Sequence, residues 1–99
     1  MTGVSLAGLA RAVDEAVAAV PGVERLFASG MRAAVGASTS APGPLSTVIR
    51  RLDSYEAVVA IAAAGGPAGT VAAQAAAAAA SALPGGARVT VRVARAIAD

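Results

Sequence analysis

The 99-residue sequence contains no cysteine, histidine, lysine, asparagine or tryptophan. Without cysteine there is neither a disulfide framework nor a thiolate ligand, and without histidine the usual general base and metal ligand are missing. A hydroxyl nucleophile also needs a base, and Ser38, Thr39 and Ser40 have no histidine, lysine or cysteine anywhere in the chain to activate them. These absences predict that the protein is not an enzyme and holds no metal.

Acid–base chemistry by paired carboxylates is the enzymatic alternative that composition leaves open. Asp14 lies next to Glu15, and Asp53 lies three residues before Glu56. Such pairs become catalytic only inside a pocket that separates their two pKa values. The sequence gives no sign of a pocket, so we interpret the first pair as a solvated helix face and the second as part of a turn.

A glycine-rich stretch, residues 65–69, stands between an apolar run and an alanine run. Glycines in that position can bring a phosphate close to the backbone at a helix N-terminus. The spacing matches neither the dinucleotide motif nor the P-loop, and neither a lysine nor an acidic ribose partner follows it. We therefore expect a plain strand-to-helix turn and no cofactor.

The uncharged run from Ala57 to Ala87 is longer than the ~20 residues that a helix needs to cross a bilayer. Glycines at 65, 66 and 69 and a proline at 67 break it, and its second half is nearly all alanine. The N-terminus lacks the basic and long apolar segments of a signal peptide. The sequence therefore predicts no transmembrane segment and does not indicate export.

The first part of the chain predicts a helix, followed by strand-like segments and a loop. After a cap at Ser5, apolar residues recur every three or four positions up to Pro21, which predicts a helix with one buried face. The range Val23–Ala28 has strand composition, and Met31–Val35 either extends it or pairs with it. Residues 36–44 have the composition of a flexible loop.

The remaining segments predict a hairpin, a helix and a final strand. Leu45–Leu52 and Tyr55–Ala63 are β-rich runs on either side of Asp53-Ser54, and the second is apolar on both faces, as a central strand is. Alanine propensity carries a helix from Pro67 to Leu83. Arg88–Ile97 alternates valine with polar residues. We expect one α+β domain over residues 1–99, in the order α-β-β-β-α-β: a small, mostly antiparallel sheet of three to four strands with two helices packed on one face.

Short segments of the chain resemble the alkaline shock protein family of bacterial envelope-stress proteins, in particular its short actinobacterial members. These are Val17–Val23 (VAAVPGV), the strand end Val58–Ile61, the helix start at Pro67 and the closing Val89–Val93 (VTVRV). The resemblance spans roughly residues 6 to 97. It implies a non-enzymatic protein on the cytoplasmic side of the envelope that acts in envelope homeostasis, usually through partner proteins, and it brings no catalytic residues.

Two surfaces are candidates for binding a partner. The alanine-rich helix is weakly charged and apolar, so Ala75 and Ala78 are expected to contact either a second copy of the chain or a membrane-anchored partner. Arginines on the predicted strands form the other surface, represented by Arg50 and Arg92 with Arg51, Arg88 and Arg95. That basic face makes nucleic-acid binding the alternative function. The net charge is only +2, and neither aromatic residue is linked to an arginine by the sequence, so nucleic acid is the less favoured partner.

Overall fold

A computed structural model describes residues 5–28, 44–85 and 87–97 of the chain. The strand interpretation of residues 31–35 and nearly all of the loop predicted at residues 36–44 lie outside these described residues. The described elements are α1 (Leu6–Ala18), β1 (Val23–Phe27), β2 (Thr47–Arg51), β3 (Ser54–Ala64), α2 (Ala68–Ser81) and β4 (Ala87–Ile97). The predicted order α-β-β-β-α-β and the α+β class are confirmed.

The sheet is organised around β3, which pairs with each of the other three strands. The β1 and β2 pairings are antiparallel, whereas β4 runs parallel to β3 along Tyr55–Ala64. Because β4 occupies one edge of β3 over that whole length, β1 and β2 must lie end to end along its other edge. Two of the three strand pairs are therefore antiparallel, and the connection through α2 makes the third one parallel.

Both helices pack on the same face of the sheet, which we call the covered face. On β3 this face carries Ala57, Val59, Ile61 and Ala63, all of which belong to one buried cluster with residues from both helices. Ile61 and Val59 are fully buried. Because side chains alternate along a strand, the remaining residues of β3 point to the opposite face.

Helix α1 begins at its predicted cap, since the Ser5 hydroxyl accepts a hydrogen bond from the backbone N–H of Gly8. Leu9, Val13 and Val17 are buried at helical spacing against the sheet. Leu6, which the spacing assigns to the same face, is instead 43% exposed because it lies in the first turn of the helix, beyond the core.

Helix α2 buries a single narrow stripe. Val71, Ala75 and Ala79 recur every four residues, Leu83 continues this spacing just after the helix ends, and all four are at most 6% exposed. The two alanines have small side chains, so the helix backbone approaches its neighbours closely, and the two larger residues fill the space at either end.

The β2–β3 hairpin turns one residue earlier than its sequence suggests. Arg51 pairs with Ser54, which leaves Leu52 and Asp53 as the two turn residues. Leu52 is 99% exposed. A two-residue turn fixes the register of a hairpin, and here the register takes Leu52 out of the strand despite its strand-like side chain.

Asp14 has a structural role that the sequence did not reveal. Its Oδ2 accepts a hydrogen bond from the backbone N–H of Leu45 at 2.8 Å, and its Oδ1 accepts one from the N–H of Ser46 at 2.9 Å and another from the Ser46 hydroxyl. The expectation of a merely solvated carboxylate is thus wrong for Asp14. It joins α1 to the start of β2 across 31 residues of sequence and satisfies Ser46, which is buried.

Candidate binding face

The face of the sheet turned away from both helices is the candidate functional surface, and we call it the open face. Register partners on neighbouring strands place their side chains on the same face. Since Ala57 pairs with Val48 and Val89 on the covered face, the intervening residues of each strand point outward. Row by row, the open face consists of Arg25, Ala62 and Arg95; Phe27, Ala60 and Arg92; Thr47, Val58 and Thr90; Ile49, Glu56 and Arg88; and Arg51 with Ser54.

Positive charge on the open face is concentrated at one end. Glu56 is the one carboxylate in these rows, and its Oε1 lies 3.1 Å from a guanidinium nitrogen of Arg51. Glu56 also stands opposite Arg88 in the register. The other end of the face holds Arg25, Arg92 and Arg95, which we call the arginine cluster, and no acid shares its rows.

The arginine cluster stands around a floor of small side chains. Ala62 lies between Arg25 and Arg95, and Ala60 lies next to Arg92. Two strand spacings separate the backbones of β1 and β4, which is about 10 Å. Long guanidinium side chains rooted that far apart can converge above the alanines on one carboxylate or phosphate, to which each can donate two parallel hydrogen bonds.

One aromatic ring belongs to this face. The guanidinium carbon of Arg25 lies 5.5 Å from the centroid of the Phe27 ring, within the range of a cation–π contact. The expectation that neither aromatic residue is linked to an arginine is therefore wrong for Phe27. Alternation along β1 puts residues 25 and 27 on the same side, and this was the signal in the sequence that could have found the pair.

The predicted arginine surface is divided between two faces. Arg92 lies within the arginine cluster, but Arg50 pairs with Tyr55, whose side chain packs against the core from the covered side. Arg50 is exposed there, at the margin of the covered face. Arg25, which was not among the predicted residues, takes part in the cluster instead.

The alanine helix offers less surface than its composition suggests. Ala75 is fully buried against the core, so it cannot contact a partner, and its place in the predicted surface is corrected. Ala78 is half-buried beside it. The exposed positions of α2 include Ala73 and Ala77, which present small side chains to solvent, and the polar Gln74.

In residues 5–28, 44–85 and 87–97, no group of three acidic, histidine or cysteine side chains is arranged to hold a metal ion. A shallow depression of 340 Å³ is lined by Gly22, Val23, Glu24, Ala64 and Gly65, with one carboxylate and no second titratable group. The open face is therefore the surface with the most distinctive chemistry in the described part of the chain.

Comparison with known proteins does not assign a function to this surface. No family model, no curated protein and no solved structure matches the chain. Neither of the two described helices has the length and apolar character needed to cross a membrane. The class that the fold defines is a small α+β domain with helices on one face of its sheet and arginines on the other.

Proposed function

We propose that this chain is a non-enzymatic interaction module that binds an acidic partner protein through its open face. The observation that carries the proposal is the arginine cluster, in which Arg25, Arg92 and Arg95 surround an alanine floor without an acid in their rows. Like charges held together raise the electrostatic free energy of the free protein, and an acidic partner relieves that repulsion.

The cellular role in the proposal follows the resemblance to alkaline shock proteins. We place the module in the cytoplasm, peripheral to the inner face of the membrane, where it acts in envelope homeostasis through a membrane-anchored partner or through self-association. Strand β3, helix α2 and strand β4 contain three of the segments on which the resemblance rests. The positive open face favours a separate acidic partner over a second copy, because two such faces repel each other.

A labelled oligoglutamate peptide tests the binding face by fluorescence anisotropy at low and moderate salt. Replacing Arg92 and Arg95 together by glutamate should weaken binding by at least about tenfold, since it reverses the charge of the arginine cluster. The matched control replaces Arg11 and Arg50, two exposed arginines away from the open face, and changes the net charge equally. Equal losses in both double variants would mean attraction by net charge alone and would contradict a dedicated face.

Self-association is measured on the same protein by size-exclusion chromatography with light scattering. A monomer at both salt concentrations is the result we expect. A dimer or larger oligomer that persists in moderate salt would contradict this expectation and identify a second copy of the chain as the partner.

Single-stranded nucleic acid is a second candidate ligand, because Arg25 and Phe27 stand together on the open face. A phosphodiester group fits the arginine cluster, and a base can stack on an aromatic ring at its side. One ring supports far less stacking than the several aromatics of typical nucleic-acid sheets, so this candidate ranks second.

Titration with a labelled oligothymidylate at several salt concentrations tests the second candidate. Arg92→Ala should then lower the salt slope by about one, and Phe27→Leu, which keeps an apolar side chain but removes the ring, should weaken binding without changing the slope. Failure to retain the oligonucleotide at low salt would eliminate this function.

A further inference from the structure

Strand β4 has one edge that pairs with no other described strand. Its other edge pairs with β3 in regular register from Ala87 to Val93, and an irregularity follows between Val93 and Arg95. The regular part spans roughly 23 Å at the usual rise per residue. Natural sheets protect such edges with bulges, charges or covering segments, because the free N–H and C=O groups invite another strand. In the described residues the irregularity protects the end of β4 beyond Val93, and the charges along the rest of the strand are those of Arg88 and Arg92.

The two sides of this edge differ in chemistry. Val89 and Val91 are half-buried on the covered face, and Val93 remains 37% exposed there. On the open face Arg88, Thr90 and Arg92 follow one another. A strand added to this edge would therefore meet apolar side chains on one side and positive charge on the other.

We infer that the edge of β4 over Ala87–Val93 with which no described strand pairs accepts an extended acidic segment of the partner, in which apolar and acidic residues alternate. This inference rests on the proposed function, and it assigns the partner segment a conformation and a pattern. Its main chain hydrogen-bonds to β4, its apolar side chains cover Val91 and Val93, and its carboxylates lie beside Arg88 and Arg92. Main-chain pairing supplies affinity in such strand addition, and the alternating side chains supply specificity.

A second copy of β4 meets like charge at this edge in the register centred on Thr90. If two copies pair antiparallel to form one continuous sheet, their open faces lie on the same side of that sheet. In the register centred on Thr90, Arg88 of one copy then stands directly opposite Arg92 of the other, twice. Like charges directly opposite each other on neighbouring strands are destabilising. An acidic strand replaces both of these repulsions by attractions.

Synthetic peptides test the edge without changing the protein. The probe is a capped peptide of alternating valine and glutamate, matched in length to Ala87–Val93, and its charge control alternates valine and lysine. Isothermal titration calorimetry with the full chain should give at least about tenfold tighter binding for the glutamate peptide. Two further glutamate peptides carry N-methyl groups at alternate residues. In one peptide the methyl groups lie on the edge that faces β4, and in the other they lie on the opposite edge. N-methylation of the edge that faces β4 should weaken binding by about tenfold or more, and N-methylation of the other edge should leave it within about twofold.

Protein variants identify the side chains that the peptide contacts. Replacing Arg88 and Arg92 together by alanine should weaken the glutamate peptide by at least about tenfold, whereas Arg50→Ala should leave its affinity unchanged. Circular dichroism of each variant verifies that it is folded.

The outcomes separate the edge from the open face as a whole. If both N-methylated peptides bind as tightly as their parent, no strand is added, and the edge inference is overturned while an acidic ligand on the open face still stands. If neither the parent peptide nor oligoglutamate binds in an arginine-dependent way, the proposed function fails as well. A stable dimer that Val93→Lys dissociates would assign the edge to a second copy and overturn the inference.

Discussion

The two faces of the sheet, carried largely by the same strands, differ in what covers them: two helices on one face and flanking side chains on the other. On β3 the covered face presents Val59 and Ile61 to both helices, and neither is accessible to solvent. On the open face of the same strand Ala60 and Ala62 lie between flanking arginines, and neighbouring side chains leave them only 7% and 1% exposed. Close packing against the helices thus determines which residues occupy the covered face. The arginines of the open face do not contribute to that packing, so their charge is available for binding a partner.

The covered face should tolerate no charge. Ala75→Glu places a carboxylate where the native side chain is fully buried, so we expect it to lower the free energy of unfolding by about 4 kcal/mol or more. Ala77→Glu, two residues away on the exposed side of α2, should change it by less than about 0.5 kcal/mol. Urea denaturation followed by circular dichroism compares the two. A loss in Ala75→Glu as small as that in Ala77→Glu would show that α2 is not packed as described.

The covered face should also be sensitive to lost volume. Ile61→Ala removes a fully buried side chain from the centre of the sheet and should cost about 3 kcal/mol. Ile49→Ala is the matched control, because Ile49 is 39% exposed on the open face, and should cost about 1 kcal/mol or less. Equal losses in thermal or urea unfolding would mean that the two faces are packed alike and would contradict the comparison.

Asp14 provides a polar link on the covered side of the molecule. Asp14→Ala leaves two backbone N–H groups and the Ser46 hydroxyl without their acceptor, which should lower the free energy of unfolding by about 2 kcal/mol. Glu15→Ala, at the neighbouring exposed position, should have almost no effect. Hydrogen exchange adds a specific measurement, since the amides of Leu45 and Ser46 should exchange faster only in the first variant.

The smallest effect on stability is expected on the open face. Arg92→Ala removes an exposed charge from a cluster of like charge and should change the free energy of unfolding by no more than about 0.5 kcal/mol. Val91→Ala, the neighbouring residue on the covered face of the same strand, should cost about 1 kcal/mol. A large loss of stability in Arg92→Ala would indicate a structural role and would weaken the case for a binding surface.

Most of the architecture was predictable because local patterns carried it. The cap at Ser5, the valines at helical spacing in α1 and the strict alternation in β4 each identify an element and its buried side. The hairpin was found within one residue, since polar turn residues separate its strands. Its register was not, because the choice between Leu52 and Ser54 as a turn residue depends on pairing across the sheet.

The binding face was only partly predictable. Arg92 was identified from alternation along a single strand. Arg50 was predicted for the binding face but lies on the covered side, whereas Arg25 was not predicted and belongs to the binding face. The face on which a residue lies depends on the pairing register of its strand with the neighbouring strands. The sequence of one strand does not specify that register. Ala75 illustrates the same limit in α2, where nearly every residue is alanine and no hydrophobic contrast marks the buried side.

The sequence by itself determined that the chain forms two helices and a small sheet, and its missing residue types predict a protein without catalysis. Only the tertiary structure decided that β4 runs parallel to β3, that Asp14 reaches Leu45 and Ser46, and that Arg25 joins Arg92 and Arg95 around an alanine floor. The physical reason is the separation in sequence between the interacting residues. Helix and strand patterns arise from interactions between residues a few positions apart, whereas these contacts join residues from 31 to 70 positions apart and exist only after the strands have paired.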